Sequence, residues 1–121
     1  MRKVVLVACA LLSNAGWAAG DAYRFYRFKV EATQGEPLQI SELKLFSGEQ
    51  DVSSAAKARY DAETKAPNGY RLRPGYEPTQ ALDGNLETKW FDDRAGSAKT
   101  MQAVWLSLEY AEPVEVTRYC W

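Results

Sequence analysis

Two stretches of the chain alternate apolar and polar side chains with a period of two, and this pattern constrains the fold more than any other feature. In the first stretch, Tyr26, Phe28 and Val30 share one face. In the second stretch the shared face is formed by Val104, Leu106, Leu108 and Tyr110. A period of two with aromatic and branched residues predicts half-buried β-strands. No segment shows a convincing helical period, so the sequence predicts an all-β chain folded as an antiparallel β-sandwich or jelly roll.

The first strand pattern is interrupted near its start, because Tyr23 and Phe25 are out of phase with the face that contains Tyr26. Such a phase change predicts a β-bulge near Phe25. A further candidate strand, residues 38–46, changes phase between Ile40 and Leu43, which predicts a bend.

Turn-forming residues separate the remaining candidate strands. Residues 47–80 are polar and contain Pro-Asn-Gly and Pro-Gly sequences, which predict a long connection that could carry function. Within it, residues 55–60 could form a helical turn. Residues 111–113 read Ala-Glu-Pro and predict a turn, and residues 114–121 predict the next strand.

Residues 1–19 are typical of a secretory signal peptide. Arg2 and Lys3 are followed by a short apolar run and then by small residues, which favours cleavage after Ala18 or Ala19. The apolar run is too short to span a bilayer, so membrane insertion is not expected. The sequence therefore predicts a secreted protein in which residues 20–121 form one β-sandwich domain.

The two cysteines say little about disulfide bonding. Residues 6–9 resemble a bacterial lipobox, but the apolar run continues past Cys9, so lipoprotein anchoring is not expected. Removal of the signal peptide would leave only Cys120, which could form no internal disulfide. We expect Cys120 to be a small buried side chain; the alternative is that its disulfide partner has been lost or lies on another chain.

Composition argues against several functions. The formal net charge is −1, so no basic field points to nucleic acid. The chain has no histidine, which removes the commonest general base. A glycosidase needs two carboxylates across a cleft, whereas Asp92 and Asp93 are adjacent and would point to opposite sides of a strand. An enzyme is not expected.

The segment ALDGNLETKW, residues 81–90, places oxygen-bearing side chains at alternate positions: Asp83, Asn85 and Glu87. This spacing suits a hard cation such as calcium. An EF-hand would need Gly and Glu where Thr88 and Arg94 stand, so that motif is excluded. Asp-Gly-Asn is also a common turn sequence, and the residues alone leave the choice between a turn and a metal loop open.

This segment, followed closely by AVWLSLEYAEPVEVTRYCW, resembles the discoidin family, also called coagulation factor V/VIII type C domains, and its sugar-binding bacterial relatives. The stretches YRFYRFKV and LQISELKLFSG resemble the early strands of that family in the same order. The resemblance covers residues 23–121. It implies an eight-stranded, galactose-binding-like jelly roll whose closing C-terminal strands are missing here. It also implies that Trp90 and Trp105 are core aromatics.

The resemblance implies a structural calcium ion in the loop of residues 81–88. Asp83 and Thr88 match positions that supply ligands, and Ala81 and Asn85 match positions that usually offer carbonyl oxygens. The residue with which the family completes the site, near the end of the domain, has no counterpart in this chain.

The resemblance further implies a non-catalytic module that binds carbohydrate on a cell surface or matrix, with a glycan or surface glycoprotein as its partner. The alternative is a protein-interaction or adhesion module of the same fold. Sugar recognition needs aromatic faces beside Arg, Asp or Asn. Seven residues satisfy this requirement: Tyr70, Arg71, Arg73, Tyr76, Asp92, Asp93 and Arg94. Arg71 and Arg73 could equally pair with nearby acids.

Overall fold

The computed structural model describes residues 2–7, 15–17, 21–31 and 35–121, and for residues 2–7 and 15–17 it describes the backbone. The strands are β1 (Arg2–Val7), β2 (Ala15–Trp17), β3 (Tyr23–Val30), β4 (Leu38–Ile40), β5 (Lys44–Ser47), β6 (Gln50–Asp51), β7 (Lys57–Arg59), β8 (Trp90–Asp92), β9 (Trp105–Val114) and β10 (Arg118–Cys120). The helical turns are 3₁₀ turns at Ser53–Ala55, Pro78–Leu82, Asp93–Gly96 and Met101–Ala103. The described part of the chain contains no α-helix, and the all-β prediction is confirmed at that level.

The described strands form three sheets. The first has the order β1-β3-β9-β7, in which β3 and β7 pair antiparallel with β9 and β1 pairs parallel with β3. The second has the order β2-β10-β5-β6 and is antiparallel throughout. The third is the antiparallel pair β4-β8.

The core is built from the faces that the alternation predicted. Tyr26, Phe28 and Val30 of β3 are buried, as are alternate residues of β9 from Leu106 to Tyr110. They pack in one cluster with Leu43, Leu45 and Trp90. Burial of each large apolar side chain contributes about 1.5–3 kcal/mol, so this cluster is the main stabilising feature of the fold.

The bulge predicted near Phe25 is confirmed, but the turn predicted at residues 111–113 is wrong. Phe25 pairs with Glu109 and Tyr23 pairs with Val114. Four residues of β9, at positions 110–113, therefore lie opposite the single residue Arg24 of β3, and the excess length lies at Ala111–Pro113 inside β9. Proline is tolerated there because a bulged residue donates no hydrogen bond to the neighbouring strand.

The phase change in residues 38–46 marks a complete break between strands. β4 and β5 belong to different sheets and are separated at residues 41–43. The long connection of residues 47–80 contains β6 and β7. The helical turn expected at residues 55–60 is wrong, because Lys57–Arg59 pairs with β9. The predicted strand 114–121 is shorter than expected and is limited to Arg118–Cys120.

Both β1 and β2 lie within the predicted signal peptide. The expected cleavage positions and Cys9 lie outside the described residues. In the described part, no helix is long and apolar enough to cross a membrane. Cys120 is a half-buried free thiol at the end of β10, so it is less buried than expected.

Candidate functional site

Aromatic and charged side chains from two segments converge on one exposed surface beside β8, which we call the aromatic–arginine cluster: Tyr70, Arg73, Tyr76, Lys89, Phe91 and Asp93. Tyr70 is 56% exposed and Tyr76 is 40% exposed. Large aromatic side chains are usually more buried, so their exposure marks a surface that can receive a partner.

Arg73 is the centre of this cluster. Its guanidinium carbon lies 4.9 Å from the centre of the Tyr70 ring and 5.9 Å from that of Phe91. One of its terminal nitrogens lies 3.0 Å from Oδ2 of Asp93. Stacking and the ion pair hold the guanidinium in one orientation, and its remaining N–H groups are left for another acceptor.

Backbone turns position the two tyrosines. Within the segment 66–70, the amide of Ala66 donates to the carbonyl of Tyr70 at 2.7 Å, and Gly69 closes the turn with φ of 86°. The amide of Tyr76 donates to the carbonyl of Arg73 at 3.1 Å, and the amide of Phe91 donates to the carbonyl of Tyr76 at 3.1 Å. The last bond ties the loop directly to β8.

Phe91 and Lys89 were not among the residues predicted from the sequence. The amine of Lys89 lies 5.3 Å from the centre of the Phe91 ring and donates to Oε1 of Gln39 at 2.7 Å. The rings of Phe91 and Tyr76 meet edge to face at 5.9 Å. The alternation of β8, in which Trp90 and Asp92 are buried, is the signal that would have assigned Lys89 and Phe91 to the outer face.

Two of the predicted ligand residues, Asp92 and Arg94, lie in the interior. They are 1% and 2% exposed, and two hydrogen bonds of 2.8 Å join the guanidinium to the carboxylate. Arg94 also donates to the carbonyl of Asp61 at 2.7 Å and to that of Thr64 at 3.3 Å. The pair therefore anchors the loop that leads to Tyr70 and does not face a surface ligand.

The charge of Arg94 follows from its contacts. Burial alone would lower the pKa of Arg94, but the hydrogen bonds and charge of Asp92 outweigh it and raise the pKa above its ordinary value. Arg94 is therefore a permanent cation in the interior of the protein.

The remaining predicted ligand residue, Arg71, pairs with Glu63 at 3.0 Å on an exposed part of the loop. Of the seven predicted residues, the structure thus brings four together: Tyr70, Arg73, Tyr76 and Asp93. The expectation that both arginines could pair with nearby acids is met by Glu63 and Asp93.

The predicted metal loop, residues 81–88, gathers oxygen atoms around the hydroxyl of Thr88. That oxygen lies 2.6 Å from Oδ2 of Asp83, 2.9 Å from the carbonyl of Asn85 and 3.4 Å from the carbonyl of Gln80. A hydroxyl has one proton and can donate to only one of these three acceptors. Four oxygens in one place, one of them a carboxylate, are the kind of donor that calcium prefers.

The same loop is also closed by its own hydrogen bonds. The carboxylate of Asp83 accepts from the hydroxyl of Thr88 and from the amide of Asn85, and these two bonds lower its pKa. The carbonyl of buried Ala81 accepts from the amide of Leu43 at 2.7 Å. In the described part of the chain there is no group of three or more His, Cys, Asp or Glu side chains that could hold a metal ion.

The aromatic–arginine cluster combines apolar surfaces with hydrogen-bond donors and an acceptor. The tyrosine rings offer apolar faces, Arg73 and Lys89 offer donors, and Asp93 offers an acceptor. A search against models of protein families, curated proteins and solved structures gives no match to this chain.

Proposed function

We propose that this protein is a secreted, non-catalytic module that binds carbohydrate through the aromatic–arginine cluster. The observation that carries the proposal is the exposure of Tyr70 and Tyr76 beside an arginine that is already stacked and paired. The proposed fold is a galactose-binding-like jelly roll of the discoidin type. Support for it comes from the antiparallel pairing of β3 with β9 and from the order of the strand patterns in the sequence.

A sugar ring has an apolar C–H face and a rim of hydroxyl groups. The exposed rings of Tyr70 and Tyr76 can cover the C–H face, which removes apolar surface from water. The free N–H groups of Arg73 can donate to sugar hydroxyls, and the carboxylate of Asp93 can accept from them. Because Arg73 is held in place before binding, little side-chain entropy is lost when the sugar binds.

We propose calcium as a structural ion for the loop of residues 81–88, held by oxygens of Asp83, Asn85 and Thr88, with Ala81 as the further carbonyl position. The convergence of acceptor oxygens on one hydroxyl supports this role. An ion there would fix the conformation of the loop, which runs directly into Lys89 and β8. It would thereby stabilise the aromatic–arginine cluster without contacting the bound carbohydrate.

Binding of the purified protein to a broad glycan array tests the proposed function. We expect weak, saturable binding to galactose-type or related glycans. The variants Tyr76→Ala and Arg73→Gln should weaken it by about tenfold or more, since each removes a contact worth roughly 1.4 kcal/mol. The matched control is Arg71→Gln, which removes an exposed, paired arginine outside the cluster and should change the affinity less than about twofold.

Two results would reject this function. One is a folded protein that binds no glycan on the array. The other is capture of a single protein partner that free sugars do not compete away, which would favour the adhesion module.

A further inference from the structure

The outer face of the first sheet carries a concentration of positive charge that the sugar-binding proposal does not use. Register places Phe25, Glu109 and Lys57 in one row across β3, β9 and β7, and Arg27, Ser107 and Arg59 in the next. Lys29 and Trp105 form a third row. We call this surface the basic face: Arg24, Phe25, Arg27, Lys29, Lys57, Arg59, Trp105, Ser107 and Glu109.

Positive charge on the basic face is largely unbalanced. Glu109 is shared by Arg24 and Arg59, each at 3.5 Å. In the part of the chain that the structure describes, Lys29 and Lys57 form no ion pair. Glu31 lies just beyond the end of β3, next to Lys29. Among the side chains that the structure describes, five basic groups thus face two carboxylates, although the whole chain has a net charge of −1.

The basic face also has a shape that can receive an anionic group. A shallow, open depression of about 330 Å³ is lined by Arg24, Lys57 and Arg59 around Glu109. Beside it, Arg27 stacks on Trp105 at 4.4 Å and donates to the hydroxyl of Ser107 at 2.8 Å, so its guanidinium is held in place before any ligand binds.

We propose that the basic face binds an acidic polysaccharide, through sulfate or carboxylate groups spaced along the polymer. The cations extend from the Phe25 row to the Lys29 row, about 13 Å along the strands, and roughly 10 Å across three strands. Charges spread over such an area match a polymer better than a single anion. Arginine and lysine pair with sulfate and carboxylate oxygens, so the charges are complementary.

The aromatic residues of the basic face discriminate against nucleic acid as the partner. Single-stranded nucleic acid binds by stacking its bases on free aromatic rings. Here the ring of Trp105 is covered by Arg27, and Arg24 lies 5.6 Å from the centre of the Phe25 ring. Both rings therefore already have a cation over them.

Heparin affinity of the full chain tests this proposal. We expect saturable binding at about 50 mM salt that weakens steeply at higher salt, because the lysines and arginines of the protein displace counterions condensed on the polyanion. The double variant Lys57→Glu/Arg59→Glu should weaken binding more than tenfold. The double variant Lys44→Glu/Lys65→Glu makes the same change of charge at exposed positions outside the basic face and should change binding less than about threefold.

Further variants and a second probe distinguish binding at the basic face from the alternatives. The neutral variant Lys57→Gln/Arg59→Gln should also weaken heparin binding, and it controls for misfolding caused by charge reversal beside Glu109. Arg73→Gln should leave heparin binding unchanged, so failure here and failure of sugar binding at the cluster are distinguishable. The proposal is rejected if the two glutamate double variants bind heparin equally well, or if the protein does not bind heparin at low salt. It is also rejected if a single-stranded oligonucleotide binds as tightly as heparin.

Discussion

Arg94 and Asp92 are the residues whose loss should affect the fold most, because both are charged and both are buried. The variant Arg94→Met would leave the carboxylate of Asp92 buried without its cation and would free the carbonyls of Asp61 and Thr64. Breaking one side of a buried pair is expected to lower the free energy of unfolding by about 3–5 kcal/mol. Urea denaturation followed by tryptophan fluorescence measures the change.

The control for this prediction is Arg71→Met, which removes an arginine from an exposed pair and should lower the free energy of unfolding by less than about 1 kcal/mol. Replacing both partners, as Asp92→Leu/Arg94→Met, should restore part of the loss because no charge is then left unpaired. Similar losses for Arg94→Met and Arg71→Met would show that the buried pair does not stabilise the fold.

The sequence indicated residues 92–94 as part of the candidate site, but it could not predict which of their side chains are exposed and which are buried. It predicted that Asp92 and Asp93 point to opposite sides of a strand, whereas β8 ends at Asp92 and Asp93 begins a 3₁₀ turn; Asp92 is buried and Asp93 is partly exposed. Which side was buried depended on the pairing of β8 with β4, and that contact joins residues about fifty positions apart. Trp105 differs from its prediction for the same reason: it is half-buried on the outer face of β9 instead of in the core.

Among the elements, the loop of residues 81–88 should respond to acid and to calcium through the same oxygens. The hydroxyl of Thr88 and the amide of Asn85 lower the pKa of Asp83, so the folded state favours its carboxylate. That stabilisation is complete above the ordinary pKa of about 3.9 and is lost as pH falls through the lower pKa of the folded state. Asp51, bonded by Ser53, has a lowered pKa and acts in the same direction.

We therefore expect Tm to fall as pH decreases below about 4, and calcium to raise Tm by several degrees at pH 7 but not in that acidic range. Asp83→Asn should abolish the calcium effect and reduce the dependence on acid. Glu112→Gln, which neutralises an exposed carboxylate in the bulge of β9, is the matched control and should leave both effects unchanged. A calcium effect that survives in Asp83→Asn would place the ion elsewhere.

Local sequence patterns predicted which face of a strand each side chain occupies, but they did not predict which strands pair with each other. The bulge at Phe25 was visible because alternation fails within a few residues. The sequence did not predict that β9 continues through residues 111–113, because Ala-Glu-Pro is a common turn sequence. These residues belong to the strand because Val114 pairs with Tyr23. Which distant segments pair with each other depends on how the side chains of the whole core pack together.

For the whole molecule, the sequence and the structure lead to different expectations for the N-terminal segment. Sequence predicts that residues 1–19 are removed on secretion, whereas the structure places β1 beside β3 and β2 beside β10. Both strands lie at the outer ends of their sheets. Removal would turn β3 and β10 into edge strands with unpaired backbone groups, which other strands can then pair with.

Hydrogen exchange of the full chain and of residues 20–121 distinguishes these roles. If β1 pairs with β3 in solution, the β3 amides that face β1 should exchange faster once residues 1–19 are absent, and Tm should fall. The β9 amides are the internal control, because β3 and β7 flank them in both forms. Identical exchange in β3 would show that β1 does not protect this edge, and a secreted form beginning after Ala18 or Ala19 would then keep the same stability. Faster exchange would mean that cleavage exposes the edge of β3 next to the basic face.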